Sequence, residues 1–110
     1  MKKRKITKSS LKKEVAKLRS KRLITVTAMV EGKEYIVLYQ FDGKEVFMLE
    51  LRFPKKENHV DSIVDIFPGA DLMERELHDL FGIEFDGNPN MDHKLFLAED
   101  WEKGHPRRDA

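Results

Sequence analysis

The middle of the chain alternates hydrophobic and polar residues with the two-residue period of β-strands. Three stretches carry this alternation, 24–30, 35–41 and 46–53, and turn-forming residues separate them at Glu31-Gly32-Lys33 and Asp42-Gly43. An Asp-Gly pair favours a hairpin because both residues tolerate positive φ. The pattern therefore predicts a three-stranded antiparallel meander, whose middle strand is apolar on both faces.

Helical spacing of apolar residues flanks the predicted sheet on both sides. Before it, Leu11, Val15 and Leu18 form one face of a helix predicted over about residues 10–20. After it, the apolar residues between 60 and 67 also have helical spacing, which ends at Pro68-Gly69. Helices this short are unstable alone, so we expect both segments to pack on the sheet.

The strongest helical pattern covers about residues 72–81. Asp71 stands at an N-cap position, and Glu74 three residues later completes a pattern resembling a capping box. Gly82 occupies the position of a left-handed C-cap. The helix presents an apolar stripe made of Met73, Leu77, Leu80 and Phe81.

Beyond Gly82 the sequence predicts an extended tail, with a turn at 87–90. The tail nevertheless carries large apolar side chains: Phe85, Leu95, Phe96, Leu97 and Trp101. Apolar side chains on an irregular segment need a surface to cover, either the domain itself or another protein. The predicted fold class is α+β, an antiparallel meander packed by two or three helices, with an extended C-terminal tail.

The predicted organisation has three parts. Residues 1–22 form a basic N-terminal arm with an amphipathic helix, 23–87 an α+β core domain, and 88–110 an extended interface tail. The arm contains 11 Lys and Arg and one acid, so it carries +10, whereas 23–110 carry −9. We expect residues 1–8 to be frayed, because like charges repel and little apolar surface is available to order them.

The basic arm is open to three interpretations. It is a solvated terminus, a nucleic-acid-binding segment, or a segment that contacts an anionic lipid surface or an acidic partner subunit. Residues 1–22 contain no aromatic side chain on which a base could stack. Nucleic acid is therefore the less favoured partner.

No residue pattern in the chain predicts catalysis or metal binding. There is no cysteine, none of the four histidines stands at a metal-ligand spacing, and no serine lies in a nucleophile elbow. No apolar run approaches the ~18 residues that would span a bilayer, and the basic N-terminus lacks the apolar core of a signal peptide. We expect a cytoplasmic protein.

Charged residues occupy half of the surface of the 72–81 helix: Glu74, Arg75, Glu76, His78 and Asp79. One hypothesis is a solvated face with intrahelical ion pairs, such as Arg75 with Asp79, worth a few tenths of a kcal/mol. A second is that these charges pair across an interface, for which the planar guanidinium of arginine is suited. A third, general acid–base chemistry by paired acids, is weak, because the sequence implies no pocket and no raised pKa.

A dense motif begins within this helix at residue 74. It has the form E-R-E-x-x-D-(L/M)-F-G-I-x-F-x-G, and a proline stands two residues after its last glycine. An E-D-W triplet at 99–101 and a G-H-P triplet at 104–106 come after it. Together these resemble the C subunit of NADH:quinone oxidoreductase (respiratory complex I) and the equivalent small subunit of membrane-bound energy-converting nickel–iron [NiFe] hydrogenases. The matching residues of the motif are Glu74, Arg75, Glu76, Asp79, Leu80, Phe81, Gly82, Ile83, Phe85, Gly87 and Pro89.

The sequence departs from this family in three respects. Asn88 stands where the family has a histidine before Pro89, and the ending 105–109 lacks one residue relative to H-P-L-R-K-D. The chain is also shorter than many respiratory members. We expect this length to favour hydrogenase-type or archaeal-type relatives.

The resemblance implies a subunit that performs no reaction and binds no cofactor itself. Its implied place is the hydrophilic arm of a complex at the cytoplasmic face of the cell membrane, and its implied partners exclude nucleic acid. They are a large subunit with a [NiFe] centre or quinone pocket, a small iron–sulfur subunit and, indirectly, membrane antiporter-like subunits.

An energy-converting hydrogenase-type complex is the first expectation. The alternative is the C subunit of a complex I-like dehydrogenase or a sulfur reductase, and a nucleic-acid-binding module is a distant third. The implied interface residues are Glu74, Arg75, Glu76, Asp79, Phe81, Gly82, Phe85, Gly87, Pro89, Trp101, His105, Pro106 and Arg108. We expect truncation after Gly87 to leave a folded domain and to abolish co-purification with the large subunit.

Overall fold

A four-stranded sheet lies at the centre of the structure, a computed structural model that describes residues 2–91. Its strands, in chain order, are β1 (Lys2–Ile6), β2 (Arg22–Glu31), β3 (Glu34–Asp42) and β4 (Phe47–Pro54), and they lie side by side in the order β1-β4-β3-β2. The three later strands are antiparallel, with Val37 opposite both Ala28 and Leu51. The predicted meander and the α+β class are confirmed.

Strand β1 is an unexpected addition that makes the sheet mixed. It runs parallel to β4, with Lys2 opposite Phe47 and Ile6 opposite Leu51. The prediction that residues 1–8 are frayed is wrong for this reason. Backbone hydrogen bonds to β4 and the buried side chain of Ile6 order the segment, and acidic partners such as Glu50 offset the repulsion between its lysines.

Helix α1 (Leu11–Lys17) connects β1 at one edge of the sheet to β2 at the other. Leu11 and Val15 are fully buried, as the apolar spacing predicts. The helix is shorter than the predicted 10–20. Helix α2 (Ala70–Phe81) begins two residues earlier than predicted, and its N-cap is Gly69 instead of Asp71.

A second sheet consists of two parallel strands, one before α2 in the sequence and one after it. It pairs β5 (His59–Asp61) with β6 (Glu84–Asp86), and Val60 stands opposite Phe85. The helix predicted at 60–67 is therefore wrong. Val60 belongs to a strand, and the chain then turns through 62–69, where its backbone is held by contacts described below.

The core fills the space between the inner face of the large sheet and the two helices. Tyr35, Val37, Tyr39 and Phe41 alternate along β3 and are all buried. Within residues 2–91, no helix combines the length and apolar character needed to cross a bilayer. The predicted tail from 92 to 110, with Trp101, His105, Pro106 and Arg108, lies outside the described residues.

Candidate functional site

Helix α2 divides the charged residues of the family motif between the protein interior and its surface. Glu74 is fully buried, whereas Glu76 is exposed and Arg75 and Asp79 are half-buried. The prediction that all of them share a solvated face is therefore wrong for Glu74. Beside Glu76 on the outer face of the helix, the side chain of Leu72 is 57% exposed.

The Glu74 carboxylate accepts three hydrogen bonds from neutral donors. Ser62 Oγ lies 2.6 Å from Oε1 and Asn88 Nδ2 lies 3.0 Å from the same oxygen, while the backbone N–H of Ile63 donates to Oε2 at 2.9 Å. One side chain thus joins α2, the turn after β5 and the loop after β6. The capping-box prediction is wrong, because Glu74 lies on the buried face with Ala70, Leu77 and Phe81.

Burial raises the pKa of the Glu74 carboxyl above its ordinary value. The hydrogen bonds from Ser62, Ile63 and Asn88 favour the ionised form and oppose this rise, while the negative charge of Asp71 adds to it. The carboxylate therefore lies in a pocket of neutral dipoles.

Two buried tyrosines of β3 flank this interior and differ in their hydroxyl groups. Tyr35 donates a hydrogen bond to the carbonyl oxygen of Phe81 at 2.7 Å. The hydroxyl of Tyr39 has no hydrogen-bond partner within residues 2–91. Burial raises the pKa of Tyr39, and the negative charges of Glu74 and Asp61 raise it further.

The C-terminal end of α2 is fixed by backbone geometry. Gly82 has a φ of 80°, the left-handed conformation that the sequence predicts, and its N–H donates to the carbonyl of His78 at 2.8 Å. The carbonyl of Gly82 accepts a hydrogen bond from Asn58 Nδ2 at 2.7 Å. Phe81 and Phe85 on either side are buried, so this part of the motif builds the core.

The loop after β6 is attached to α2 by two asparagines. Asn88 is buried against Glu74, and its Oδ1 accepts the backbone N–H of Asn90 at 2.8 Å. Asn90 Nδ2 in turn donates to Asp71 at 3.0 Å. Gly87 opens this loop with a φ of 96°, and Met91 ends it with a buried side chain.

Arg75 has an acidic neighbour within the domain. Its Nε lies 3.4 Å from Asp71 Oδ1, one helical turn earlier. Asp71 therefore contacts both Arg75 and Asn90, and it connects the outer face of the helix to the loop. The sequence analysis missed this role of Asp71.

Sequence reasoning also missed Ser62 and Asn88 as partners of Glu74. A signal was present, because Glu74 lies four residues after Ala70 and three before Leu77, on the apolar period itself. A carboxylate on a buried face needs hydrogen-bond donors from elsewhere in the fold. Within the described part of the chain, no three His, Asp or Glu side chains are grouped as a metal site requires.

Many cations of the basic arm have acidic partners in the domain. Lys3 Nζ lies 2.6 Å from Glu50, and Lys12 Nζ lies 2.6 Å from Asp65. Charges that are already paired contribute less to binding a phosphate backbone. This weakens the nucleic-acid interpretation of residues 1–22.

Comparison with known proteins gives a match to the family described as the 30 Kd subunit of respiratory-chain NADH dehydrogenase, over residues 4–110. The C subunit of NADH-quinone oxidoreductase from Acidothermus cellulolyticus is 38% identical over 80 residues, which are 70% of this chain and 41% of that protein. The same subunit from Saccharopolyspora erythraea is 42% identical over 60 residues, 54% of this chain and 23% of that protein. The chain thus spans less than half the length of these curated relatives.

Two solved structures share the fold. A trypsin-resistant fragment (1–134) of Nqo5 superposes with a TM-score of 0.69 at 22% identity, covering 77% of this chain and 78% of the fragment. A chain of the membrane-bound sulfane sulfur reductase, an archaeal respiratory membrane complex, superposes with a TM-score of 0.77 at 22% identity, covering 88% of this chain and 64% of that chain.

Proposed function

The chain belongs to the family of the 30 Kd subunit of respiratory-chain NADH dehydrogenase, and from this membership we propose that it is a non-catalytic subunit of a larger redox complex. In this proposal it docks on the large subunit that carries the quinone pocket or the [NiFe] centre. Iron–sulfur clusters belong to a neighbouring small subunit. The complex lies at the cytoplasmic face of the membrane.

The observation that carries the proposal is the division of the family motif across α2. Glu74, Phe81 and Phe85 are buried and hold the domain together. Glu76 is exposed and makes no contribution to the core, yet it belongs to the same motif. A motif residue without a core role is best explained by contact with a partner.

Leu72 strengthens this argument, because a large apolar side chain that is 57% exposed stands one turn before Glu76. An apolar side chain beside a charge is a common composition for the edge of a subunit interface. We propose that the outer face of α2, defined by Leu72, Arg75, Glu76 and Asp79, contacts the large subunit.

The tail is the second proposed contact. Asn88 and Asn90 attach the chain to α2, and the predicted anchors follow later in the sequence: Trp101, His105, Pro106 and Arg108. This attachment holds the last described residues of the chain against α2.

The structure changes the design of the truncation experiment. A chain that ends at Gly87 loses Asn88 and Met91, both of which are buried. We therefore place the cut after Met91, which keeps every described contact. A tagged chain 1–91 should retain the melting curve of the full chain and should lose co-purification with the large subunit. Undiminished co-purification of the truncated chain would contradict the role of the tail.

The outer face of α2 has its own test in the full chain. Leu72→Asp should reduce recovery of the large subunit about tenfold, because it places a charge in an apolar contact. Met29→Asp is the matched control, since Met29 is 47% exposed on β2 and lies on the opposite face of that strand from the buried Val26. Equal recovery with the two variants would exclude α2 as the docking face.

The class of complex is a finer proposal with two candidates. The sequence analysis favours an energy-converting hydrogenase type. The identities of 38% and 42% to the C subunit of NADH-quinone oxidoreductase favour the second candidate, a complex I-like dehydrogenase. The sequence of the co-purified large subunit separates them: two C-x-x-C pairs indicate a [NiFe] hydrogenase, and their loss indicates a quinone or sulfur reductase.

A further inference from the structure

A groove of about 460 Å³ opens on the side of the domain where α1 ends and α2 begins. Residues 19–23 form one wall, and the turn at 66–69 together with Met73 forms the other. None of these residues belongs to the charged family motif on α2. The groove is therefore a feature that the proposed contacts of α2 and the tail do not explain.

The rim of the groove is cationic. Arg22 is paired with Asp42 at 3.0 Å, so its charge is largely compensated. Arg19 and Lys21 lie on the same rim, and within residues 2–91 neither has an acidic partner. In the same arm the charges of Lys3 and Lys12 are neutralised by paired acids, whereas Arg19 and Lys21 keep theirs.

The floor of the groove is apolar and packs on the core. Leu23, Ile66, Phe67 and Met73 line it, and all four are half-buried. The ring of Phe67 packs on Phe41 of the core, with ring centroids 5.4 Å apart. A floor supported by the core does not need to rearrange when a side chain enters, which lowers the entropy cost of binding.

We propose that this groove receives a segment of a neighbouring subunit in which an Asp or Glu stands beside a bulky apolar side chain. The carboxylate lies between Arg19 and Lys21, and the apolar side chain covers Phe67 and Met73. The proposal rests on the proposed function, because it assumes that the chain works inside a complex. It adds a second docking surface and the chemistry of the segment that fills it.

Charge and shape favour a protein segment over a membrane or a nucleic acid. Binding to an anionic bilayer typically uses clusters of about four to eight cations, and this rim has two that are uncompensated. A concave apolar floor accepts an inserted side chain better than it accepts a flat lipid surface. The lining contains a single aromatic residue, Phe67, whereas proteins that bind single-stranded nucleic acid stack successive bases on several aromatic side chains.

The first test is site-specific photo-cross-linking in the assembled complex. Benzoylphenylalanine is introduced at the exposed rim residue Ser20 of the full-length tagged chain and, as a control, at the exposed residue Lys33 in the β2–β3 turn. The cross-linked peptides are identified by mass spectrometry. We expect position 20, and not position 33, to cross-link to a segment in which a carboxylate adjoins a bulky apolar residue.

The second test reverses the charges of the rim. Arg19→Glu with Lys21→Glu should lower recovery of the cross-linked subunit about tenfold, because two attractive contacts become repulsive. Lys13→Glu with Lys33→Glu makes the same change in net charge at two exposed sites outside the groove and should leave recovery unchanged. Melting curves of both double variants show whether the fold is retained.

The outcomes separate this proposal from the proposed function. Normal recovery of partners with the rim variant, together with no cross-link from position 20, overturns the groove proposal and leaves the proposed function intact. Sedimentation of the chain with phosphatidylglycerol vesicles, lost in the rim variant, overturns it in favour of a membrane. Failure of the wild-type chain to recover any redox subunit overturns the proposed function and this proposal together.

Discussion

Two buried carboxylates, Glu50 on β4 and Glu74 on α2, differ in the charge of their partners. Glu50 is 4% exposed and accepts bonds from Lys3 Nζ at 2.6 Å and Arg52 Nε at 3.3 Å. The bond from Lys3 holds the pKa of Glu50 below its ordinary value. Burial raises the pKa of Glu74, which has only neutral donors. The depth of burial and the charge of the partners together determine how a carboxylate titrates.

The two carboxylates also differ in what covers them. Glu50 lies on the outer face of the sheet, beneath the partly exposed side chains of Lys3 and Arg52. Glu74 is enclosed by α2, the turn after β5 and the loop after β6. Glu50 helps to hold β1 on the sheet, whereas Glu74 connects three segments of the proposed docking side.

The largest expected effect on stability comes from removing the Glu74 carboxylate. Glu74→Ala leaves Ser62, Asn88 and the N–H of Ile63 without an acceptor, and we expect a loss of about 3 kcal/mol in the free energy of unfolding. Urea denaturation at neutral pH measures it. Glu76→Ala, an exposed neighbour on the same helix, should change stability by less than about 0.5 kcal/mol. A loss below about 1 kcal/mol for Glu74→Ala would remove the distinction between interior and surface carboxylates.

The two tyrosines of β3 test whether each buried hydroxyl contributes a hydrogen bond to the stability of the interior. Tyr35→Phe removes the hydrogen bond to the carbonyl of Phe81 and should cost about 1 kcal/mol. Tyr39→Phe removes a buried hydroxyl that has no partner within residues 2–91, so stability should be unchanged or slightly higher. Both variants are measured by the same urea titration. A loss for Tyr39→Phe equal to that for Tyr35→Phe would contradict the unpaired state of the Tyr39 hydroxyl.

The ion pairs of Glu50 on the outer face of the sheet are tested through the effect of salt on stability. Glu50→Ala removes the ion pairs with the partly exposed Lys3 and Arg52. At low ionic strength we expect a loss of about 1 kcal/mol or less in the free energy of unfolding. Because salt screens such pairs, the loss should shrink in about 1 M NaCl. The loss for Glu74→Ala should not shrink, since its partners are neutral. Equal salt dependence of the two losses would contradict the proposed difference.

The smallest expected effect is a difference in pH dependence. The ordinary pKa of both carboxyls is 4.5. Because the folded pKa of Glu74 is raised, the part of its contribution to stability that depends on protonation is present below 4.5 and is lost as the pH rises through the folded value, whereas its three hydrogen bonds remain. Because the folded pKa of Glu50 is lowered, its contribution is present above 4.5 and is lost as the pH falls through the folded value.

Glutamine variants measure these two slopes. The stability of the wild type relative to Glu74→Gln should fall as the pH rises above 4.5, and its stability relative to Glu50→Gln should fall as the pH drops below 4.5. Urea titrations at several pH values on both sides of 4.5 provide the comparison. Slopes of the same sign would show that the two carboxylates titrate alike.

Local features of the fold were predictable from the sequence. The meander follows from the two-residue period and its turns, and the end of α2 follows from Gly82, whose left-handed φ of 80° needs no distant partner. The burial of Leu11 and Val15 follows from their helical spacing. The family motif identified three residues of the candidate site: Glu74, Arg75 and Glu76. It did not show that Glu74 is buried, Arg75 half-buried and Glu76 exposed.

The features that the sequence did not predict depend on contacts between distant parts of the chain. Lys2–Ile6 forms a strand only because β4 offers a parallel edge and Glu50 offers a negative charge. Glu74 has an interior role only because Ser62 and Asn88, 12 and 14 residues away, supply the donors.

The meander, its turns, the helices α1 and α2 and the family of this protein follow from the sequence alone, since neighbouring residues encode these features. Which of the charges are buried and which are exposed depends on the tertiary structure. The stability of a buried charge depends on groups that the fold brings near it, and these groups lie far from it along the chain.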